Sequence, residues 1–496
     1  MNDSRIRLAY FSNASARGGA EEHILTLVHG LDRTLFQPFL ICSPAVAEKL
    51  GKDVPTDVTV IPLLFGKISE FRGAFRLAKA LRQNKIQILH SHLFYSSLFA
   101  SPVGWLCGIP AILETPHLRE LWREGKGWLK GSFFIDRLIG RCVDGYIAVS
   151  KANRSYLHDV KKLPAHKIHV VQNGSDLKRF RPDHPSPAGM RERLGFGTTD
   201  PIMLVPARLE PQKGHRVLFE ALPTVLKEFP TARVVCAGEG ALLSELQDQV
   251  GRLSLQKNVS FVGRQPRLED WFALCDFTIL PSFFEGLPLV AVESLAAGRP
   301  MVATAVDGTP EVILDGKTGL TVPPGDAPAL AAAIICMLRE PGMRRAMAAE
   351  GRRWAMECFT QALQIEKTQA VYIALLQAVG QKNLSEYTVG NWIIRKAAQL
   401  LAKLALGLLK VSVFPIQVPQ TGMHARETGI GLLGCLILFD RLGPVVRFPV
   451  CGCHQNVRGR RIRIHLHDSR EHARERLAVL HPQVRLTEHI EGLQIG

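Results

Sequence analysis

The stretch FFEGLPLVAVESLAAGRP, residues 283–300, sets two carboxylates, Glu285 and Glu293, eight positions apart around a Gly-Leu-Pro corner. Just before it, FTIL (277–280) is the short apolar run of a buried strand, which makes Ser282–Gly286 the loop that leaves it. Pro288 suits the first turn of a helix, and Gly298 stands where that helix should stop. Strand, loop and helix in this order are one step of an α/β fold, whose ligands sit at the carboxyl ends of the strands. Eight residues of helix span about 12 Å. Glu285 belongs to the loop, so this is a scale rather than a distance. It still exceeds the ~5–9.5 Å between carboxylates that work on one glycosidic bond. The pair is therefore better suited to gripping two ends of an extended ligand than to acid/base work at one bond.

Outward from this step the pattern repeats. IRLAYF, PFLIC, IQILHSH, AILETPH, GYIAVS and IHVVQNG are strand-like and alternate with segments of helical period. A second series follows: PIMLVPARL, ARVVCAGEG, NVSFVGR, FTILPS, PMVATAVDG and GLTVPPGD. The expectation is two α/β domains facing across a cleft, each a parallel sheet covered by helices. A Pro-, Asp- and Arg-rich link over 174–195 separates them. The predicted layout is a first domain over 1–180, a second over 195–360, closing helices over 361–380 and an extension of unknown fold over 382–496. A chain of 496 residues has room for two or three domains.

Several residues just after predicted strands could carry chemistry. Gly18 and Gly19 can bring backbone amides to an anion at a helix start, or simply make a turn. They do not form the G-x-G-x-x-G dinucleotide fingerprint. His90, His92 and His117 follow strands of the first series, where a histidine is commonly structural. His117 is the preferred functional candidate because Pro116 fixes the backbone before it. His90-Ser-His92 lacks an accompanying carboxylate or Cys pair at ligand spacing, which argues against a metal there. Arg208 and Lys213 share the loop ARLEPQKG. A guanidinium fork and an ammonium at a strand end suit a diphosphate, although solvated loop charges would look the same.

Residues 1–375 resemble retaining glycosyltransferases of family 4, with the GT-B fold of two Rossmann-like domains. The resemblance rests on GGAEEHI, HSH, VSK, VQNGSD, ARLEPQKG, AGEG, FVGR, EGLPLVAVE and DGTPEVILDGKTGLTVPPGD. It implies that Glu285 contacts the donor sugar and Glu293 the ribose hydroxyls, as the two ends of an E-x7-E motif. It implies that Arg208 and Lys213 stabilise the leaving diphosphate, and that Val262, Gly263 and Arg264 border the base. Gly286, Leu287 and Pro288 would set amides beside the sugar and phosphates. Gly18 and Gly19 would lie under the diphosphate, with His117 facing the transferred sugar. The implied reaction is front-face displacement with retention, without a metal or other cofactor; the nucleotide-diphosphate-sugar is a substrate. The implied acceptor is a glycan or a lipid-linked molecule, in cell-surface polysaccharide or glycolipid synthesis. A nucleotide-sugar epimerase or hydrolase of the same fold, or a non-catalytic nucleotide-sugar-binding protein, is the alternative.

The net charge is +16, and residues 1–180 carry 25 Lys+Arg against 15 Asp+Glu. Such an excess suits anionic substrates or an acidic membrane surface. Nucleic acid is not expected, because basic segments interleaved with aromatics are missing. In EFRGAFRLAKALRQNK, Arg72, Arg76 and Lys79 are expected on a face opposite Phe71, Phe75 and Leu81. Beyond residue 382, Lys396, Lys403 and Lys410 recur at seven-residue spacing among leucines, a basic amphipathic pattern suited to a membrane surface or to ordinary packing. Cys451, Cys453, His454, His465 and His467 match no standard zinc spacing. The ten cysteines fall mostly in apolar runs, the opening residues show no signal peptide, and no run spans a bilayer. The expected location is cytoplasmic, with peripheral attachment to the inner face of the membrane.

Overall fold

The computed structural model describes residues 4–63, 71–120 and 133–386, and the strand residues 452–455 and 462–465. Met1–Thr388 form one compact unit and Val389–Gly496 another. In the second unit the described strands Gly452–Gln455 and Ile462–His465 pair antiparallel, with His454 opposite Arg463. Lys396, Lys403, Lys410, Cys451 and His467 lie outside the described residues.

The first unit holds two parallel sheets. One comprises β1 (Ile6–Ser12), β2 (Phe36–Cys42), β3 (Thr59–Pro62), β4 (Ile88–His92), β5 (Ala111–Thr115), β6 (Gly145–Ala148) and β7 (Ile168–Val170). Their order is β3-β2-β1-β4-β5-β6-β7. The other comprises β8 (Ile202–Val205), β9 (Arg233–Cys236), β10 (Val259–Phe261), β11 (Phe277–Leu280), β12 (Met301–Thr304) and β13 (Gly319–Val322), ordered β10-β9-β8-β11-β12-β13. Both are Rossmann-like, and in each the order reverses beside the first strand, leaving a crevice at the strand ends. The central strands are apolar on both faces because helices cover both. Tyr10 and Leu40 pack on one side of the first sheet, and Phe11 and Ile41 on the other. Every strand expected from the two series is present. The edge strand β3 was not anticipated: its four residues, TVIP, are half exposed and lack the apolar run that marks the others.

The domain boundary differs from the expectation. Leu177, Phe180 and Met190 lie in the core of the second domain, so the linker packs there and the crossing falls at Asn173–Ser175. The returning chain crosses beside it. Ser175 N donates to Phe359 O and Gln361 N to Ser175 O, both at 3.0 Å, so the two crossings are bonded to each other. Beyond them a single helix, Gln361–Glu386, replaces the closing helices expected over 361–380 and runs past residue 382. It packs on the first domain: the Ile365 side chain fills the space beside Gly30, and Tyr372 is fully buried in the first-domain core.

The basic helix Phe71–Gln83 also corrects the sequence reading. Leu77 and Leu81 are buried, but Phe75 is 73% exposed and shares the outer face with Arg72, Arg76, Lys79 and Arg82. Positions three and four apart on a helix are neighbours, which places Phe75 beside Arg72 and Lys79 rather than opposite them.

A Cβ at Gly174 would lie 2.3 Å from the carbonyl oxygen of Thr360. Gly174→Ala is expected to lower the denaturant midpoint by the equivalent of about 1–3 kcal/mol, measured by chemical unfolding, because backbone rather than a movable side chain meets the methyl.

Candidate active site

Several of the predicted residues gather at the switch points of the two sheets. After β11, Ser282 Oγ donates to Glu285 Oε1 at 2.6 Å, and the Glu285 amide donates to Asp307 Oδ2 at 2.9 Å. The carboxylate is thus held from both ends of its residue. Lys213 Nζ reaches the same Oε1 at 2.6 Å, closing an ion pair across the ends of β8 and β11. Lys213 was expected against a diphosphate; its first partner is Glu285. Gly214 makes this possible. It has φ +68°, and a Cβ there would strike the carbonyl oxygen of Pro281 at 1.9 Å. Arg208 stands apart from this pair: its side chain is 63% exposed and bonded to Glu210.

Glu293 lies in the helix Leu289–Ala296, which Pro288 caps rather than begins. Its Oε1 accepts from Ser175 Oγ at 3.0 Å, at the crossing between the domains. Burial pushes its pKa up to about 7, partly opposed by that hydrogen bond. The two glutamates have separate partners. Val262, Gly263 and Arg264 follow β10, with Gly263 at φ +70° and Arg264 exposed.

On the first domain, Gly18 and Gly19 start the helix Gly19–Gly30, and a Cβ at Gly19 would meet open space. Glu21, which sequence reasoning missed, shapes this loop. It accepts from Ser12 Oγ at 2.6 Å and from Gly18 N at 2.9 Å, tying the end of β1 to the helix start. Its place three residues after Gly18 is the spacing of a capping box and could have signalled it.

His117 follows β5 at φ +56°, in a tight turn where Leu118 N donates to Pro116 O at 2.6 Å. Left-handed backbone at a residue with a side chain costs of order 1–3 kcal/mol and concentrates at functional sites. Here the turn carries the carbonyl of His117 against Gly286, where a Cβ would come within 2.2 Å of that oxygen. Gly308 packs on the other side, its Cβ position 2.1 Å from the carbonyl oxygen of Gly286 and 2.9 Å from Ser150 Cβ. The EGLP corner is therefore built from both domains. Leu287 is buried beneath it. His90 takes the structural role. Its Nδ1 meets Tyr372 Oη and its Nε2 meets Thr115 Oγ1, both at 2.7 Å, which docks the last helix. His92 Nδ1 meets His117 Nε2 at 3.0 Å, and His23, which the sequence did not single out, stacks edge-on to His117.

Two Rossmann-like domains that meet over such a corner have the GT-B architecture of glycosyltransferases. Residues 189–354 match the model of group 1 glycosyl transferases, and residues 17–179 that of glycosyltransferase family 4. The chain is 34% identical over 295 residues to a GDP-mannose-dependent alpha-(1-6)-phosphatidylinositol monomannoside mannosyltransferase of Mycolicibacterium smegmatis, covering 57% of this chain and 75% of that protein. A glycosyltransferase from Rickettsia africae shares its fold at TM-score 0.65 and 22% identity, over 75% of this chain and 99% of that one. Anabaena Alr3699/HepE, crystallised with UDP, does so at 0.64 and 18%, over 75% and 100%. The chain belongs to the group 1, family 4 glycosyltransferases, and it is a transferase enzyme.

The raised pKa of Glu293 makes stability fall with pH. The folded state holds this proton up to about pH 7, whereas an unfolded chain gives it up near 4.5. Wild-type stability should therefore decline between these values, while Glu293→Gln, which mimics the protonated group, should not. Unfolding curves at pH 5 and pH 8 should show a gap in favour of the variant that grows to the order of 2 kcal/mol at the higher pH.

Proposed function

We propose that the protein transfers a sugar with retention from a nucleotide-diphosphate-sugar to a glycan or lipid-linked acceptor, without a metal. The observation that carries this reading is the Lys213–Glu285 pair, set at a switch point and facing His117 across Gly286. Lys213 has three N–H donors, so it can keep Glu285 and still meet a phosphate oxygen. The exposed Arg208 side chain can swing to the same diphosphate once it leaves Glu210. Glu293 takes the ribose hydroxyls, Glu285 the donor sugar, and the amides at Gly286–Pro288 the groups between them. Val262, Gly263 and Arg264 edge the base. Gly18 and Gly19 leave room under the diphosphate, and His117 faces the sugar.

In the proposed step the acceptor oxygen bonds to the anomeric carbon on the face the diphosphate leaves. The departing phosphate oxygen takes the acceptor proton, so the protein needs no second carboxylate at that carbon. The relative's use of GDP-mannose and a phosphatidylinositol mannoside supports a nucleotide-sugar donor and a lipid-linked acceptor, and hence a role in cell-surface glycan or glycolipid synthesis.

A panel of nucleotide sugars, read by nucleotide release, should identify one or two donors whose turnover survives a chelator and requires an acceptor. Lys213→Ala should lower kcat/KM by at least about 100-fold, the scale of losing a charge-stabilising group at a leaving oxygen. Lys213→Ala/Glu285→Gln should be equally inactive but more stable, since no buried carboxylate is left unpaired. Arg208→Ala should mainly raise the donor KM. Turnover independent of acceptor would favour the epimerase or hydrolase alternative, and undiminished turnover in Arg208→Ala/Lys213→Ala would exclude the diphosphate assignment.

Peripheral membrane attachment belongs to the same reading. The outer face of helix Phe71–Gln83 joins an exposed aromatic to four cations, which suits a surface of anionic lipids. Among the described residues no helix is long and apolar enough to cross a membrane. The full chain should float with vesicles containing anionic lipid and not with neutral ones. Phe75→Ser/Arg76→Glu/Lys79→Glu should abolish flotation, and unchanged flotation would remove this helix as the docking face.

A further inference from the structure

Where the first domain borders the EGLP corner, His23, His92 and His117 converge so closely that one nitrogen from each lies within 4.8 Å of the others. They come from the helix after β1, from β4 and from the turn after β5, so no spacing in the sequence announces them. The closest pair, His92 Nδ1 and His117 Nε2, is 3.0 Å apart. Two imidazole nitrogens held about 2.05 Å from a tetrahedral zinc are about 3.3 Å apart, so that pair is near the required spacing. Bringing the widest gap to the same value asks for a movement of about 1.5 Å, which side-chain rotation can supply.

All three rings are buried, and burial holds each below the ordinary histidine range. Their existing hydrogen bonds are incomplete. His92 Nε2 is buried without a partner among the described residues. The Gln364 amide nitrogen bonds His23 Nδ1 at 3.2 Å and stands 3.5 Å from its Nε2. The Asn173 side chain lies within hydrogen-bonding reach of His23 and its Oδ1 is buried, which offers a fourth donor. His90 is not a candidate ligand, because Tyr372 and Thr115 take both its nitrogens; its ring lies 4.2 Å from that of His92 and forms the back wall.

We propose that His23, His92 and His117, with Asn173 Oδ1 or a water as fourth ligand, bind a four-coordinate divalent d-block cation of the zinc type. The site serves inhibition rather than catalysis, because a bound cation occupies the His117 nitrogen that the transferase reading turns toward the sugar. The blocking role rests on the transferase reading above; the binding does not.

Cobalt(II) is the probe. Titrated into the tag-free full chain under a non-thiol reductant, it should give the intense visible bands of four-coordinate cobalt with one equivalent bound, and zinc should bleach them. His23→Gln and His92→Gln should each lose that one equivalent, or bind it at least tenfold more weakly, while their far-UV spectra stay those of the wild type. His23→Cys restores a ligand and should bring the visible bands back with an added near-ultraviolet thiolate band, which also tests the site should the glutamine variants fold poorly. A weak octahedral-type spectrum, or a full spectrum in His23→Gln, overturns the site. Zinc at concentrations that displace cobalt should suppress nucleotide release, with recovery on chelation; displacement of cobalt without that suppression overturns the blocking role and leaves the transferase reading intact.

Discussion

The carbonyl oxygen of His117 resting against Gly286 is the contact on which the cleft depends. Two chains from different domains approach backbone to backbone there, at a distance that any side chain on residue 286 would prevent. The strained turn at His117 presents that carbonyl, and Gly308 packs on the far side of Gly286, so three loops share one corner. Glu285 and its ion pair with Lys213 sit one residue away. The position of the carboxylate is consequently fixed by the meeting of the two domains as well as by its own strand.

The two walls of the cleft differ in charge. The second domain supplies Lys213, Glu285 and Arg208, with Glu293 at the crossing, whereas the first offers His23, His92 and His117, all kept neutral by burial. A charged ligand would be drawn to the one wall, and the opposite wall is left to neutral hydrogen-bonding groups. Desolvation makes this division, since a buried imidazole with uncharged neighbours loses its proton long before pH 7.

Much of the fold could be read from the sequence because parallel strands covered on both faces must be apolar runs. Twelve such runs became strands, while β3, exposed at an edge, carried no such mark. The loop residues of the site were also readable, since they follow those runs directly. Side-chain partners were not. Lys213 and Glu285 are 72 positions apart, and nothing in either segment states that they touch. The histidine cluster and the burial of Leu177 and Phe180 in the second domain are likewise products of tertiary packing. Phe75 is a different case: helical spacing alone places it among the arginines.

The paired crossings at Ser175 and Thr360 have a consequence for exchanging parts between related enzymes. Residues beyond the second crossing come last in the chain, yet Gln361, Gln364, Gln369 and Tyr372 bond to Thr26, His23, Asp32 and His90 of the first domain. A chimera that exchanges the second domain should therefore take a cassette cut at both crossings, from about 176 to 359, and keep the terminal helix with its original first domain. A single cut at the linker would graft a foreign helix onto the first-domain core and leave His90 and His23 facing side chains they were not packed against.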